Sequence, residues 1–283
     1  MVKSIDSLVS DIEGILVNGI PSDTDPKVIE DFGKQLAKTI AERLVRTPRE
    51  PTLRMSSIGQ PCERKLYYEI NESDKAEPLR AETYLKFLFG DLTEELILFL
   101  AQLAGHSVEG RQDEQEIEGI KGHWDAVVDG RIVDVKSAST FSFKKFASGN
   151  LKDDDPFGYI LQIQSYLYAG QENPIVTDKE RASFLVFDKS LGHLCLDTHE
   201  KDSTNWSELY NHKKKVVSSE TPPERAFEDE PFQKSGNRKL GVNCSYCSFS
   251  KTCWPDTRTF LYSFGPVTLT KTVVEPNVPE LKG

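Results

Sequence analysis

The segment Gly122–Lys136, GHWDAVVDGRIVDVK, leaves the chain little choice of local structure. Two short runs rich in apolar and β-branched residues flank Asp129-Gly130, a dipeptide suited to the positive backbone angles of a two-residue hairpin turn. Strands are expected near Glu114–Glu118, His123–Val128 and Arg131–Ser137. Downstream, the pattern predicts a helix over Gly158–Ala169, strands over Ala182–Asp188 and Gly192–Asp197 around a turn at Lys189-Ser190-Leu191, and a helix over Ser203–Val217. Upstream, apolar residues at three- and four-residue steps predict an amphipathic helix from Asp25 to Arg46, with Asp25 as N-cap and Pro26 in the first turn. Two prolines break it between Thr47 and Pro51. A second helix runs from about Leu79 to Ala104 and stops at Gly105. This order of elements is an α/β plan, a mixed central sheet flanked by helices. The expected division is an N-terminal helical segment over 1–50, a core over 51–262 and an extended or disordered tail over 263–283.

Composition limits what such a chain does. With 35 basic and 45 acidic residues among 283, the net charge is −10, so non-specific coating of nucleic acid is disfavoured. An enzyme that meets nucleic acid through metal ions remains open, because the ligating carboxylates themselves count as negative charge. The richest apolar stretch, Tyr84–Leu103, contains Lys86, Asp91, Glu94 and Glu95, so no membrane span is expected. The N-terminus shows no uninterrupted apolar run of the secretory kind. A cytoplasmic protein follows as the expectation.

Asp134 and Lys136 lie two apart on a predicted strand and leave the same face. Asp125 converges on them across the hairpin. Carboxylates that crowd together raise one another's pKa unless a cation lies between them, and Mg²⁺ or Mn²⁺ suits such an oxygen-rich site. Lys136 beside it can orient a water and stabilise charge on a phosphate. Glu94, four residues after Gly90 in a helix, adds a third carboxylate, with Glu95 the alternative if the helical register differs. Gln162 and Tyr166 share a helical face with each other, and Gln164 and Tyr168 repeat the spacing; the first pair is preferred. His123 shares the strand face of Asp125, but the five histidines form no metal-ligand spacing.

The cysteines are unevenly placed: Cys62 and Cys195 alone, then Cys244, Cys247 and Cys253 within ten residues. In a chain without a secretory signal this points to metal rather than disulfides. Cys62, at a turn just before a helix, is the better fourth ligand, while Cys195 sits between two leucines of a predicted strand. Spacing alone favours zinc and an iron–sulfur cluster equally.

The ordered set G-x-x-x-E, G-x-x-D, D-x-K and Q-x-x-x-Y resembles the PD-(D/E)XK nuclease superfamily, in its RecB-like exonuclease branch, over roughly residues 55–254. The MSSIGQPCERKLYY segment and the C-x2-C-x5-C cluster are similar to the CRISPR-associated Cas-four-type exonucleases and the AddB-type nuclease domain. The resemblance implies a restriction-endonuclease-like core with an iron–sulfur subdomain. Glu94, Asp125, Asp134 and the Val135 backbone carbonyl would bind Mg²⁺ or Mn²⁺, Lys136 would be catalytic, and Gln162 and Tyr166 would form a fourth motif. Many RecB-like members carry histidine where Glu94 stands; lambda-type exonucleases carry glutamate. Cys62, Cys244, Cys247 and Cys253 would hold a [4Fe–4S] cluster that clamps the two ends of the core.

The implied activity is metal-dependent hydrolysis at DNA ends, single-stranded or partly unwound, by a prokaryotic or phage-encoded protein. Its setting would be recombination, repair or CRISPR adaptation, with the proteins of those processes as partners. The alternative is a non-catalytic DNA-end binding protein on the same fold. Lys144 and Lys145, interleaved with Phe143 and its neighbouring phenylalanines, are candidate DNA contacts. The Lys213–Lys215 run reads as a solvated helix end, and no phosphate-binding loop of the ATPase kind is present.

Overall fold

The computed structural model describes residues 3–45 and 50–281. The N-terminal region carries α1 (Leu8–Asn18) and α2 (Pro26–Leu44), followed by the short α3 (Met55–Ile58), α4 (Glu63–Asn71) and the long α5 (Ala81–Leu103). Asp25 caps α2 as its side chain accepts from the Lys27 N–H, which answers an orphan donor of the first turn. The expected break at Thr47–Pro51 lies largely outside the described residues. Gly105, at φ +86°, closes α5 where the helix must stop.

The strands that follow are β1 (Val108–Glu109), β2 (Glu114–Ile117), β3 (Ile120–His123), β4 (Ala126–Val128) and β5 (Arg131–Ala138). After them come α6 (Thr140–Ala147), α7 (Tyr159–Ala169), β6 (Arg181–Asp188), β7 (Leu194–Glu200) and α8 (Trp206–Val217). The central sheet has the order β1-β4-β5-β6-β7 and is antiparallel except between β5 and β6. That parallel pair requires a crossover, which the segment with α6 and α7 provides. Alternation along β5 sends Val133 and Val135 into a core with α1 and α5, and Ile132 into a second core with α7 and Phe184 of β6. Asp129 and Gly130 take φ +47° and +82°, the hairpin turn expected of them. Among the described residues no helix is long and apolar enough to cross a membrane.

Three expectations change. The strand over His123–Val128 is two, because Trp124 leaves the ladder to fill the core, fully buried, with its indole N–H donating to the Gly110 carbonyl at 2.9 Å. The Lys144–Phe146 stretch, for which no element is expected from the sequence, lies in α6, capped by Ser139. The tail is not a trailing arm. The last part of the chain carries β8 (Glu230–Phe232), β9 (Asn237–Lys239), α9 (Val242–Ser245), α10 (Ser250–Cys253), β10 (Arg258–Tyr262), β11 (Gly265–Lys271) and β12 (Glu280–Leu281). These strands make a second, antiparallel sheet ordered β12-β10-β11-β9-β8. Val267 and Leu269 alternate inward on β11 and meet Phe260 and Phe232, so the tail has a small apolar core of its own.

Candidate active site

The ladder between β4 and β5 runs from Val128 opposite Arg131 to Ala126 opposite Val133, and there the strands part. One step further Asp125 comes opposite Asp134, and the Asp125 Oδ2 accepts from the Val135 N–H at 2.7 Å, a donor that would otherwise continue the ladder. The split therefore places two carboxylates side by side and Lys136 on the same face. Lys136 Nζ stands 2.6 Å from Asp134 Oδ2 and 5.0 Å from the Tyr159 ring centroid. Across from them α7 presents Gln162, whose Nε2 is 3.4 Å from Asp134 Oδ1 and 3.2 Å from Tyr166 Oη. Gln164 and Tyr168 look elsewhere: Gln164 bonds the Glu200 carbonyl and the Asp202 N–H, and Tyr168 stacks on Trp206.

Glu94 reaches the site from α5. Its Oε1 accepts from Gln112 Nε2 at 2.7 Å, and the same nitrogen donates to Asp125 Oδ1 at 3.2 Å. Glu95, one residue on, points to α2 instead, where it accepts from Gln35 and Thr39 and pairs with Arg111. Gln112 is a site residue that sequence reasoning missed. Its one signal, a backbone φ of +55° in a non-glycine residue, is invisible in the sequence.

The electrostatics follow from the crowding. Burial, then Asp134 and Glu94, hold the Asp125 carboxyl well above the usual range. Glu94 is pushed up to about 7, mainly by burial, with Glu95 and Asp134 adding to it against the Gln112 hydrogen bond. Burial alone would lower Lys136, but Asp134 and Asp125 outweigh it and hold the ammonium charged. Burial raises Tyr166, which therefore stays a neutral hydroxyl.

Because Glu94 binds its proton more tightly folded than unfolded, stability falls as pH rises from about 4.5 to 7, and the loss is complete above that. The shift corresponds to on the order of 3 kcal/mol. In the presence of a chelator, Glu94→Gln should melt a few degrees above the unsubstituted protein at pH 8, with the gap closing by pH 5. A gap that is the same at both pH values would mean that Glu94 carries no such strain.

The cysteines form a second candidate site. Cys62 is the N-cap residue of α4, Cys244 lies in α9, Cys247 follows it and Cys253 ends α10. All four line one cavity together with Arg64, Lys65 and Arg225. Burial pushes the Cys247 thiol up to about 11 and raises Cys244 as well. Cys195 lies apart on β7 against the main core, and burial pushes it up to about 12. Among the described residues no three His, Cys, Asp or Glu side chains stand in metal-ligand geometry. The donor chemistry nevertheless fits at both places, oxygens at the split strands and sulfurs with a cationic surround at the cavity.

The candidate DNA contacts separate. Phe143 is buried in the core with Phe146, so its ring is not offered to a base. Lys145 pairs with Asp154 at 2.5 Å and lies 5.4 Å from the ring of Phe141. Lys144 and Phe141 are exposed on α6.

No protein-family model matches the sequence, and no curated protein matches it. Solved structures that resemble the chain include SSO0001, at 16% identity and a TM-score of 0.43 over 78% of this chain and 95% of that one. The alkaline exonuclease LHK-Exo from Laribacter hongkongensis matches at 14% identity and a TM-score of 0.38, over 64% and 91%. A phage-related exonuclease from Haemophilus somnus 129PT matches at 17% identity and a TM-score of 0.36, over 60% and 92%.

Proposed function

We propose that this chain is a divalent-metal-dependent deoxyribonuclease that hydrolyses phosphodiester bonds at DNA ends, with a structural [4Fe–4S] cluster at its four clustered cysteines. The observation that carries the reading is the floor of the split between β4 and β5, where Asp125, Asp134, Lys136 and Gln162 converge. When bound, Mg²⁺ or Mn²⁺ held by Glu94, Asp125, Asp134 and the Val135 carbonyl supplies Lewis-acid stabilisation of the charged phosphate.

Lys136, held charged by its carboxylate neighbours, orients the attacking water by hydrogen bonding and faces the negative charge that grows on the phosphate oxygens. Gln162 keeps Asp134 and Tyr166 in place, and the neutral Tyr166 hydroxyl has a proton to donate to a phosphate oxygen. Attack by water forms a new P–O bond and breaks the bond to the 3′-oxygen, leaving a 5′-phosphate and a 3′-hydroxyl.

A cleft of about 1050 Å³ opens beside Glu94 and Gln112, lined by Lys38, Arg54, Tyr84 and Phe87. Cations for phosphates and rings for bases are what a single nucleic-acid strand binds, which favours an unwound or single-stranded end as substrate. The thiols draw on Arg64, Lys65 and Arg225, which offset the negative charge of a thiolate-ligated cluster. A setting in prokaryotic or phage recombination, repair or CRISPR adaptation agrees with a chain that trims DNA ends.

The test is degradation of DNA labelled at either end by anaerobically purified protein, with Mn²⁺ and with chelator. Metal-dependent shortening from an end is expected. Binding of the labelled DNA with no cleavage under any metal would replace this reading by that of a non-catalytic end-binding protein.

A further inference from the structure

Gln112 sits in the loop between β1 and β2 with φ +55°, a region that non-glycine residues with long side chains rarely occupy. Its backbone is pinned by Asp125, itself a candidate ligand, and by His123 two residues before it. The Gln112 N–H donates to the Asp125 carbonyl at 3.1 Å, and the Gln112 carbonyl accepts from His123 Nδ1 at 3.1 Å. The side chain is thereby aimed into the gap between Glu94 and Asp125. There one amide nitrogen serves both carboxylates, at 2.7 and 3.2 Å, and both of its hydrogens are used.

A strained backbone that persists because its surroundings hold it is a reason to look for function in the side chain it aims. This inference rests on the reading of Glu94 and Asp125 as metal ligands. An ion that enters between them displaces an N–H donor, because a cation and a donor hydrogen repel. The terminal torsion of glutamine is broad and nearly two-fold, so a half-turn that replaces the nitrogen with Oε1 has little torsional cost, and the bond to the cation offsets the two hydrogen bonds given up. Amide oxygens are accepted ligands of hard divalent cations.

We infer that Gln112 is a further side chain of the cation site. Its amide nitrogen holds the two carboxylates together, and its amide oxygen turns to a divalent cation such as Mg²⁺ or Mn²⁺ on binding. The left-handed backbone then serves the site and not the fold.

The experiment is calorimetric titration of Mn²⁺ into the full chain and into Gln112→Gly and Gln112→Glu, with melting temperatures measured in chelator. Glycine accepts the positive φ without strain, so Gln112→Gly removes the side chain while leaving the loop its conformation. Expected are a melting temperature within a few degrees of the unsubstituted chain, because relief of the backbone strain offsets the two lost hydrogen bonds, and Mn²⁺ affinity lower by about tenfold. Gln112→Glu, with a charged oxygen in the same place, should bind Mn²⁺ more tightly than the unsubstituted chain. Unchanged or tighter binding by Gln112→Gly would show that the amide only competes with the ion, and overturn the inference while the metal reading stands. If the unsubstituted chain takes up no Mn²⁺, the metal reading falls and this inference with it.

Discussion

Lys136→Ala should lower DNA hydrolysis by about a hundredfold to a thousandfold, the scale seen when a preorganised group facing transition-state charge is removed. The side chain is 22% exposed and its partner Asp134 is 3% exposed, so the pair is held within the protein and not on an open surface. Removing the ammonium leaves Asp125 and Asp134 as buried neighbours without their cation, and costs stability of about 3 kcal/mol or more. The sign with pH follows from the Asp125 carboxyl, already held high by burial, Asp134 and Glu94. Without Lys136 its pKa rises further, so the loss of stability grows as pH rises and shrinks in acid, where the carboxyls are protonated.

Lys136→Arg separates the two effects. It keeps the charge and recovers most of the melting temperature, but a planar guanidinium fork does not replace a compact ammonium beside one carboxylate oxygen, and activity should stay down by about a hundredfold. Asp134→Asn should be as inactive as Lys136→Ala. The measurements are initial rates on end-labelled DNA with Mn²⁺, together with melting curves at pH 5 and pH 8. Substantial turnover by Lys136→Ala would remove the active-site assignment altogether.

Cys62→Ala and Cys244→Ala should each lose the broad absorption at about 400 nm and the roughly four irons per chain expected of anaerobically purified protein. They should also melt well below the unsubstituted protein, since a link between Cys62 and the Cys244–Cys253 segment closes most of the chain into one loop and restricts its unfolded state. Cys195→Ala should change neither property, because that thiol lies on β7 outside the cavity.

The cysteine variants should lose nuclease activity too, through the backbone. Gly59, three residues before Cys62, packs so closely on Gly158 at the start of α7 that a Cβ on Gly59 would meet the Gly158 carbonyl oxygen at 2.0 Å. Beside Cys244 and Cys247, Asn243 Nδ2 donates to the Pro156 carbonyl at 3.0 Å and Tyr246 packs edge-on against Phe157. Both chain segments that carry the cavity's cysteines therefore bear on the turn that begins the helix of Gln162 and Tyr166. A colourless protein with stoichiometric zinc would overturn the cluster but leave the carboxylate site standing. A Cys195→Ala variant that bleaches while Cys62→Ala does not would transfer the fourth ligand to Cys195.

Much of the candidate site was legible because its parts are local. The Asp129-Gly130 turn sets the pairing of β4 and β5 within a few residues, and strand alternation then puts Asp134 and Lys136 on one face. Helical spacing does the same for Gln162 and Tyr166, and turn position marks Cys62 as an N-cap residue before any partner is known. The sequence by itself thus determined the alternating hairpin, the helices with their caps and the candidate residues on each. Tertiary structure alone decided where those faces point. Glu94 and Glu95 are chemically alike and adjacent on α5; only the packing of α2, with Gln35 and Thr39 on Glu95, turns Glu94 to the cleft. Phe143 and Lys144 read as a nucleic-acid surface until α6 folds Phe143 into the core. The tail reads as an arm because β10 and β11 turn at Ser263-Phe264, which carries none of the usual hairpin-turn residues, and because β9 and β12 complete the sheet only once the chain has returned on itself. Gln112 is the extreme case, a polar loop residue whose position depends on a positive φ and on Asp125 and His123 around it. Periodicity is written into the geometry of the nearest few residues, whereas convergence is set by contacts between segments that the sequence keeps far apart.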